Sequence, residues 1–399
     1  VIGEIFTGGA LRLHNFEGAL RAGSEADDIV AASVDLQAAG RIGDLPSDGG
    51  LDRPIRLSLS RDTARSRLVA EDGIVNAHVV ALRKADGAAT DTSGDMVLGR
   101  AQGSTVRLRT DGDLRLSGDT QVLNGEEVQT LPTSTAVRER AVTLDVVGRV
   151  LDDGADAPAG TPPDETVPDI LAGRLGLFTG GFGTAQDPVE TAVTSVSGRA
   201  DAGAFMVDRG DLTYEGIDSG TSDQDIRVES DLTVDTGNRA FTAGNAVLQG
   251  FNLSQSGPLA FFGGHLVLRA SDKASFGAHS ALGINAAGPG SADAPAGSLT
   301  IDARRIEGER DSTASARGDL ALIARRGLTF GDLSGDTVTV RATDTVQIDS
   351  GETDPATGDP VQLDVTAQVD GQLGNITADA DVDVLITGAA EVGAVTAGN

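Results

Sequence analysis

Cysteine is absent from the 399 residues, so disulfide frameworks and thiolate metal sites are excluded. Tryptophan is absent as well, Tyr214 is the one tyrosine, and aromatics make up 3% of the chain. A core built from this composition has to be thin and made of Val, Leu, Ile and Ala. Only two lysines occur, Lys84 and Lys273, and Lys+Arg at 31 against Asp+Glu at 60 leaves a net charge of −29. Such a field repels phosphate backbones and anionic lipid heads, which argues against nucleic-acid binding and electrostatic membrane docking. No run approaches the ~18 apolar residues of a membrane span. The opening Val1-Ile2-Gly3-Glu4 lacks an initiator Met and the pattern of a signal peptide, and reads as part of something longer.

What is present is glycine, 53 residues, and a hydrophobic content of 39%, too high for a disordered acidic chain. A short apolar-x-apolar core recurs: Leu232-Thr-Val234, Leu266-Val-Leu268, Leu282-Gly-Ile284, Leu299-Thr-Ile301, Leu320-Ala-Leu322, Val338-Thr-Val340, Val361-Gln-Leu363 and Val382-Asp-Val384. Spacings from Leu266 onward are 16, 17, 21, 18, 23 and 21 residues. Second strands lie between, such as Leu328-Thr-Phe330, Val346-Gln-Ile348 and Ile376-Thr-Ala378. Strict alternation at a period of about 20 predicts strands that each bury one face. Helical solenoids need 33 or more residues per unit, and leucine-rich repeats need an asparagine ladder that is missing. The expected fold is all-β, a right-handed parallel β-helix (β-solenoid) with coils of about 20 residues, each resting on its neighbours.

Gly-Asp precedes strand after strand, as at Gly94-Asp95, Gly112-Asp113, Gly118-Asp119, Gly210-Asp211, Gly318-Asp319, Gly331-Asp332 and Gly335-Asp336. Gly supplies a positive φ and Asp can bond its own backbone two residues on, so both suit a bend. Three stretches interrupt the pattern and are expected as loop excursions: 152–169 with four prolines and six acids, 286–297 and 350–360. The pattern resumes after each, so residues 1–399 are expected to form a single continuous segment. For 24–40 a helix opening at Ser24 is the alternative, but Val34-Asp-Leu36 repeats the strand core and favours β.

Two stretches share one layout. Gly40-Arg-Ile42-Gly43 follows the strand at Val34-Asp-Leu36 and runs on to Pro54-Ile55. Gly180-Gly-Phe182-Gly183 follows Leu175-Gly-Leu177 and runs on to Pro188-Val189. Together with Gly94-Asp-Met-Val-Leu-Gly99 leading into Val106-Arg-Leu108, and Gly327-Leu-Thr-Phe-Gly331 leading into Val338-Thr-Val340, this order resembles the repetitive body of filamentous-hemagglutinin-like bacterial adhesins. That resemblance implies an exported, surface or secreted β-helical stalk or adhesive filament, acting in adhesion or biofilm formation. The Asn-Pro-rich secretion module of that family is not seen.

Chemistry-bearing motifs are few, and each has a plain structural reading. Arg209-Gly210-Asp211 and Arg317-Gly318-Asp319 spell an integrin-recognised triplet, yet Gly-Asp pairs abound here for reasons of turn chemistry. His14, His78, His265 and His279 lack metal-ligand spacing. Asp379-Ala-Asp381-Val-Asp383 projects three acids from one strand face and offers oxygen ligands to Ca²⁺, with a solvated acidic face as the simpler reading. No catalytic, cofactor-binding or metal residue is assigned, and the expectation is a non-enzymatic protein without cofactors. Uncapped ends imply stacking on other copies or continuation of the segment. The alternative is a polysaccharide lyase or hydrolase on the same fold, which two carboxylates or an Arg–Asp cluster in a groove would favour. A third reading is a calcium-dependent module.

Overall fold

The computed structural model describes residues 1–23, 28–45, 53–59, 65–71, 73–80, 94–124, 141–153, 168–237, 239–277, 280–284, 297–309, 312–330 and 332–334. Beyond these it describes 337–342, 345–348, 362–367, 371–373, 376–378, 382–386, 390–392 and 395–397. Among the described residues the chain is all-β, without a helix, and its strand ladders run parallel. Two compact units are distinguished, Val1–Gly210 and Asp211–Asn399.

In the first unit the chain makes successive passes of three short strand segments. Segments 96–98 and 100–103 are overlaid by 114–116 and 121–124, and Thr105–Thr110 is overlaid by 141–146. The next pass places 150–152, 170–171 and 174–179 on these in turn. Phe182, 191–193 and 195–200 follow. Because side chains alternate across a strand, an in-register parallel stack puts like beside like. Val75, Val106, Val142, Leu175 and Val196 thus form one buried column, and Ala77, Leu108, Leu144 and Leu177 the next. Each buried Val or Leu contributes on the order of 1.5–3 kcal/mol, so narrow aliphatic columns suffice without large rings.

The second unit repeats the device. Leu248, Leu268, Ile301, Leu322 and Val340 stack in one column, and Leu212, Leu232, Leu253, Ala274, Ile306 and Leu328 in another. A third holds Leu259, Leu282 and Ala314. The cores at Leu266, Leu299, Leu320 and Val338 mark one strand position pass after pass, whereas those at Leu232 and Leu282 belong to other positions. Leu266 pairs directly with Leu299, and Leu282 lies between them on a different face of the same pass. Near the C-terminus the stacked pair is Leu363 and Val365, on Val338 and Val340, one step on from the expected Val361 and Leu363.

The segment at 24–40 is β as favoured, with strands Asp28–Ala31 and Ser33–Ala38; residues 24–27 lie outside the described set. The two Gly-x-apolar-Gly layouts make the same bend. Ile42 and Phe182 are fully buried, while Gly43 and Gly183 take φ of +74° and +62°. Their N–H groups donate back to Leu20 and Val150 carbonyls of the preceding pass. A Cβ at Gly183 would drive into the Phe205 carbonyl oxygen, and at Gly43 into that of Asn76.

The Gly-Asp bends work differently from expectation. Asp95 Oδ1 accepts from the Asp113 N–H of the next pass at 2.6 Å, and Asp113 Oδ1 from Arg149 N–H at 2.8 Å. Asp211 Oδ1 accepts from Ser230 Oγ–H and Asp231 N–H at 2.5 and 3.3 Å. A bend interrupts the strand ladder, and these carboxylates cap the amide of the bend stacked upon them. Bonds to the residue two on do occur, at Asp208 and Asp235, outside the Gly-Asp pairs. Gly331 and Gly335-Asp336 lie outside the described residues, as do 154–167, 286–296 and 350–360 of the three expected excursions.

Three of the scarce aromatics pack together in the second unit, Tyr214, Phe241 and Phe261, with ring centroids 5.4 and 5.1 Å apart. The buried Tyr214 hydroxyl donates to Gln224 Oε1 at 2.7 Å and accepts from the Ile217 N–H at 3.0 Å. Gln224 Nε2 donates to the Ile217 carbonyl at 2.6 Å, closing the network. Burial pushes the Tyr214 phenol well above its ordinary range, so it remains a donor.

Two substitutions test this packing by urea denaturation. Gly183→Ala is expected to cost about 2 kcal/mol or more, from a positive φ combined with a carbonyl clash. Tyr214→Phe is expected to cost ~1–3 kcal/mol, because it orphans the Ile217 amide and the Gln224 oxygen at full burial.

Candidate functional site

The motifs singled out from the sequence are mostly engaged by neighbouring strands. His14 lies 3.4 Å from Asp35, His78 Nε2 lies 2.9 Å from Asp111, and His265 Nε2 lies 3.2 Å from Thr300 Oγ1. Partial burial lowers the His265 pKa, opposed by Asp319. His279 lies outside the described residues. Within Arg209-Gly210-Asp211, the Gly210 N–H donates to Asp208 and the Asp211 carboxylate caps the 230–231 bend. At Arg317-Gly318-Asp319, the Gly318 N–H donates to Gly297 and the Asp319 carbonyl accepts from Leu299. Asp379 and Asp381 lie outside the described residues; Asp383 sits in the strand Val382–Ile386.

A different cluster emerges in the first unit. Asp152 is the penultimate residue of the strand Ala141–Asp153, and Asp169 immediately precedes the strand Ile170–Phe182. The two residues are the ends of the acidic stretch 152–169, of which 154–167 lie outside the described residues. Ile170 pairs with Thr191, so Glu190, one residue earlier, comes level with Asp169, and the Asp169 N–H donates to the Glu190 carbonyl at 2.9 Å. One ligand oxygen from each of Asp152, Asp169 and Glu190 lies within 4.8 Å of the others. Asp169 is 5% exposed and Glu190 8%.

Desolvation by burial raises the Asp169 carboxyl to about 9, with the Asp152 and Glu190 charges adding to it. Burial raises Glu190 as well, with Asp187 adding and the Asp169 contact and Arg209 opposing. Asp169 therefore carries a proton at neutral pH, because three carboxylates this close cannot all ionise without compensation. One face of Asp169 meets the Glu190 carboxyl, while its Oδ2 has no hydrogen-bond partner. The set offers oxygen donors only, and its chemistry is to hold either a proton or a hard cation.

Sequence reasoning delimited the excursion by Asp152 and Asp169 but did not place them together. Its acidic ends were the available signal, and the register that brings Glu190 alongside is a product of the stack.

The pH dependence follows from the raised Asp169. Between about 4 and 9 the folded chain holds a proton that the unfolded chain has released. This contribution to stability is fully present below the unfolded pKa and is lost as pH rises toward 9. In chelator, Asp169→Asn is expected to match the wild type near pH 4–5. It should become progressively more stable than the wild type toward pH 9, by at most about 1.4 kcal/mol per pH unit, as read from urea midpoints. Compared with known protein families, curated proteins and solved structures, the chain matches none.

Proposed function

We propose that the stacked passes are coils of a right-handed parallel β-helix, and that the chain serves as a stiff structural or adhesive segment. On this reading it belongs to a large secreted or cell-surface bacterial protein of the filamentous-hemagglutinin-like kind and works in adhesion or biofilm formation. Its function then resides in length, stiffness and outer surface, with other copies of itself, end to end or side by side, as the partners implied. The observation that carries this reading is the in-register column of aliphatic side chains repeated pass after pass in both units.

The outer surface supports it too. Charged side chains there bridge adjacent passes: Arg269 and Arg325 both reach Asp302, at 3.6 and 3.0 Å, and Arg304 reaches Asp272 at 3.4 Å. Arg109 reaches Asp145 at 3.7 Å, and Lys273 pairs with Glu307. Exposed pairs of this sort contribute only ~0.2–1 kcal/mol each, but they align along the stack and offset the repulsion within an acidic surface.

The enzyme alternative, a polysaccharide lyase or hydrolase, has one observation in its favour, the three close carboxyls. Their burial weighs against it. A glycosidic bond must enter between the two groups that cleave it, and Asp169 and Glu190 are almost wholly covered.

Electron microscopy with small-angle scattering tests the proposal. A β-helical stalk should give elongated particles of constant cross-section and a ~4.8 Å repeat along the long axis in oriented samples. Compact particles without that repeat would overturn it. Reducing-end release from acidic polysaccharides, abolished in Asp169→Asn, would favour the enzyme.

A further inference from the structure

We propose that Asp152, Asp169 and Glu190 form a binding site for one hard divalent cation, Ca²⁺, which fastens Asp152 and Asp169 to the following pass. The inference does not depend on the stalk reading. It rests on how the fold treats buried carboxylates.

Asp208, one pass further on, is the contrast. It is fully buried, and its oxygens accept from Thr191 Oγ1–H at 2.7 Å, Val193 N–H at 2.8 Å and Gly210 N–H at 2.9 Å. Three donors satisfy that carboxylate, and nothing further is needed. Asp169 is buried nearly as deeply, and the Glu190 backbone bonds to its carboxyl, yet its Oδ2 has no donor and the carboxyls of Asp152 and Glu190 lie within 4.8 Å. An orphaned acceptor at such depth is costly unless an electropositive group meets it.

The donor set selects the class of cation. Oxygens bound across one Ca²⁺ at 2.3–2.6 Å lie up to about 5 Å apart, so this trio, with its oxygens within 4.8 Å of one another, can close on a single ion. Three carboxylates supply up to six oxygens, close to the six to eight that Ca²⁺ takes. Mg²⁺ demands a tighter octahedron and retains its waters, and an all-oxygen set without His or Cys is a poor site for Zn²⁺. Asp152 lies near the end of one strand, Asp169 just before the next, and Glu190 in the following pass, so a bound ion ties together three separate parts of the chain.

The test uses the full chain stripped with chelator, with CaCl₂ as the probe, followed by calorimetry and thermal melting. Wild type should bind one Ca²⁺ with an affinity well above that for Mg²⁺, and its melting temperature should rise with Ca²⁺. Asp169→Asn should weaken that binding at least ~10-fold and remove most of the rise. Asp272→Asn, which deletes an equal charge from the outer surface, should retain both. Glu190→Gln provides a second variant, expected to behave like Asp169→Asn, should either fold poorly. Equal Ca²⁺ shifts in wild type, Asp169→Asn and Asp272→Asn would reveal general screening of an acidic chain and overturn the proposal. Absence of any stoichiometric binding by the wild type at 10 mM CaCl₂ would overturn it as well.

Discussion

The parallel, in-register backbone ladder between successive passes is the interaction on which everything else in this protein depends. It satisfies the amides and carbonyls of each strand with those of its neighbours, and it sets one residue directly over its counterpart. A column of small branched side chains then does the work that a central aromatic core does in a compact domain. This is why a chain with no tryptophan and one tyrosine buries so long a list of Val, Leu, Ile and Ala.

The same register governs the polar groups. Bends interrupt the ladder, and the amides exposed there are met by Asp95, Asp113, Asp211 and Asp223 from the pass beneath. Glycine is needed where passes come too close for a side chain, as at Gly43 and Gly183. Where register supplies donors, a buried acid such as Asp208 is quiet. Where it brings acids together, as at Asp152, Asp169 and Glu190, the site holds close carboxyls whose charge a proton or a bound cation relieves.

Much of the architecture was legible in the sequence because alternation and turn chemistry are local properties. Val34-Asp-Leu36 read as a strand over a competing helix signal, and the paired Gly-x-apolar-Gly stretches proved to be one bend used twice. The repeat was less legible in detail. Leu282-Gly-Ile284 looks like Leu266-Val-Leu268 along the chain, but it faces Leu259 and Ala314, so a spacing of 16 measured the step between faces of one pass. Gly-Asp pairs suit local bonds two residues on, whereas the carboxylates of Asp95, Asp113 and Asp211 meet amides a full pass away.

Composition and periodicity by themselves determined that this chain is all-β, thin-cored, acidic and free of thiol chemistry. Those properties depend on which residues are present and how they alternate. Only the tertiary structure decided which residues stand side by side, since successive passes differ in length. Asp169 and Glu190 are level because Ile170 pairs with Thr191, a fact of backbone hydrogen bonding that no spacing in the sequence encodes.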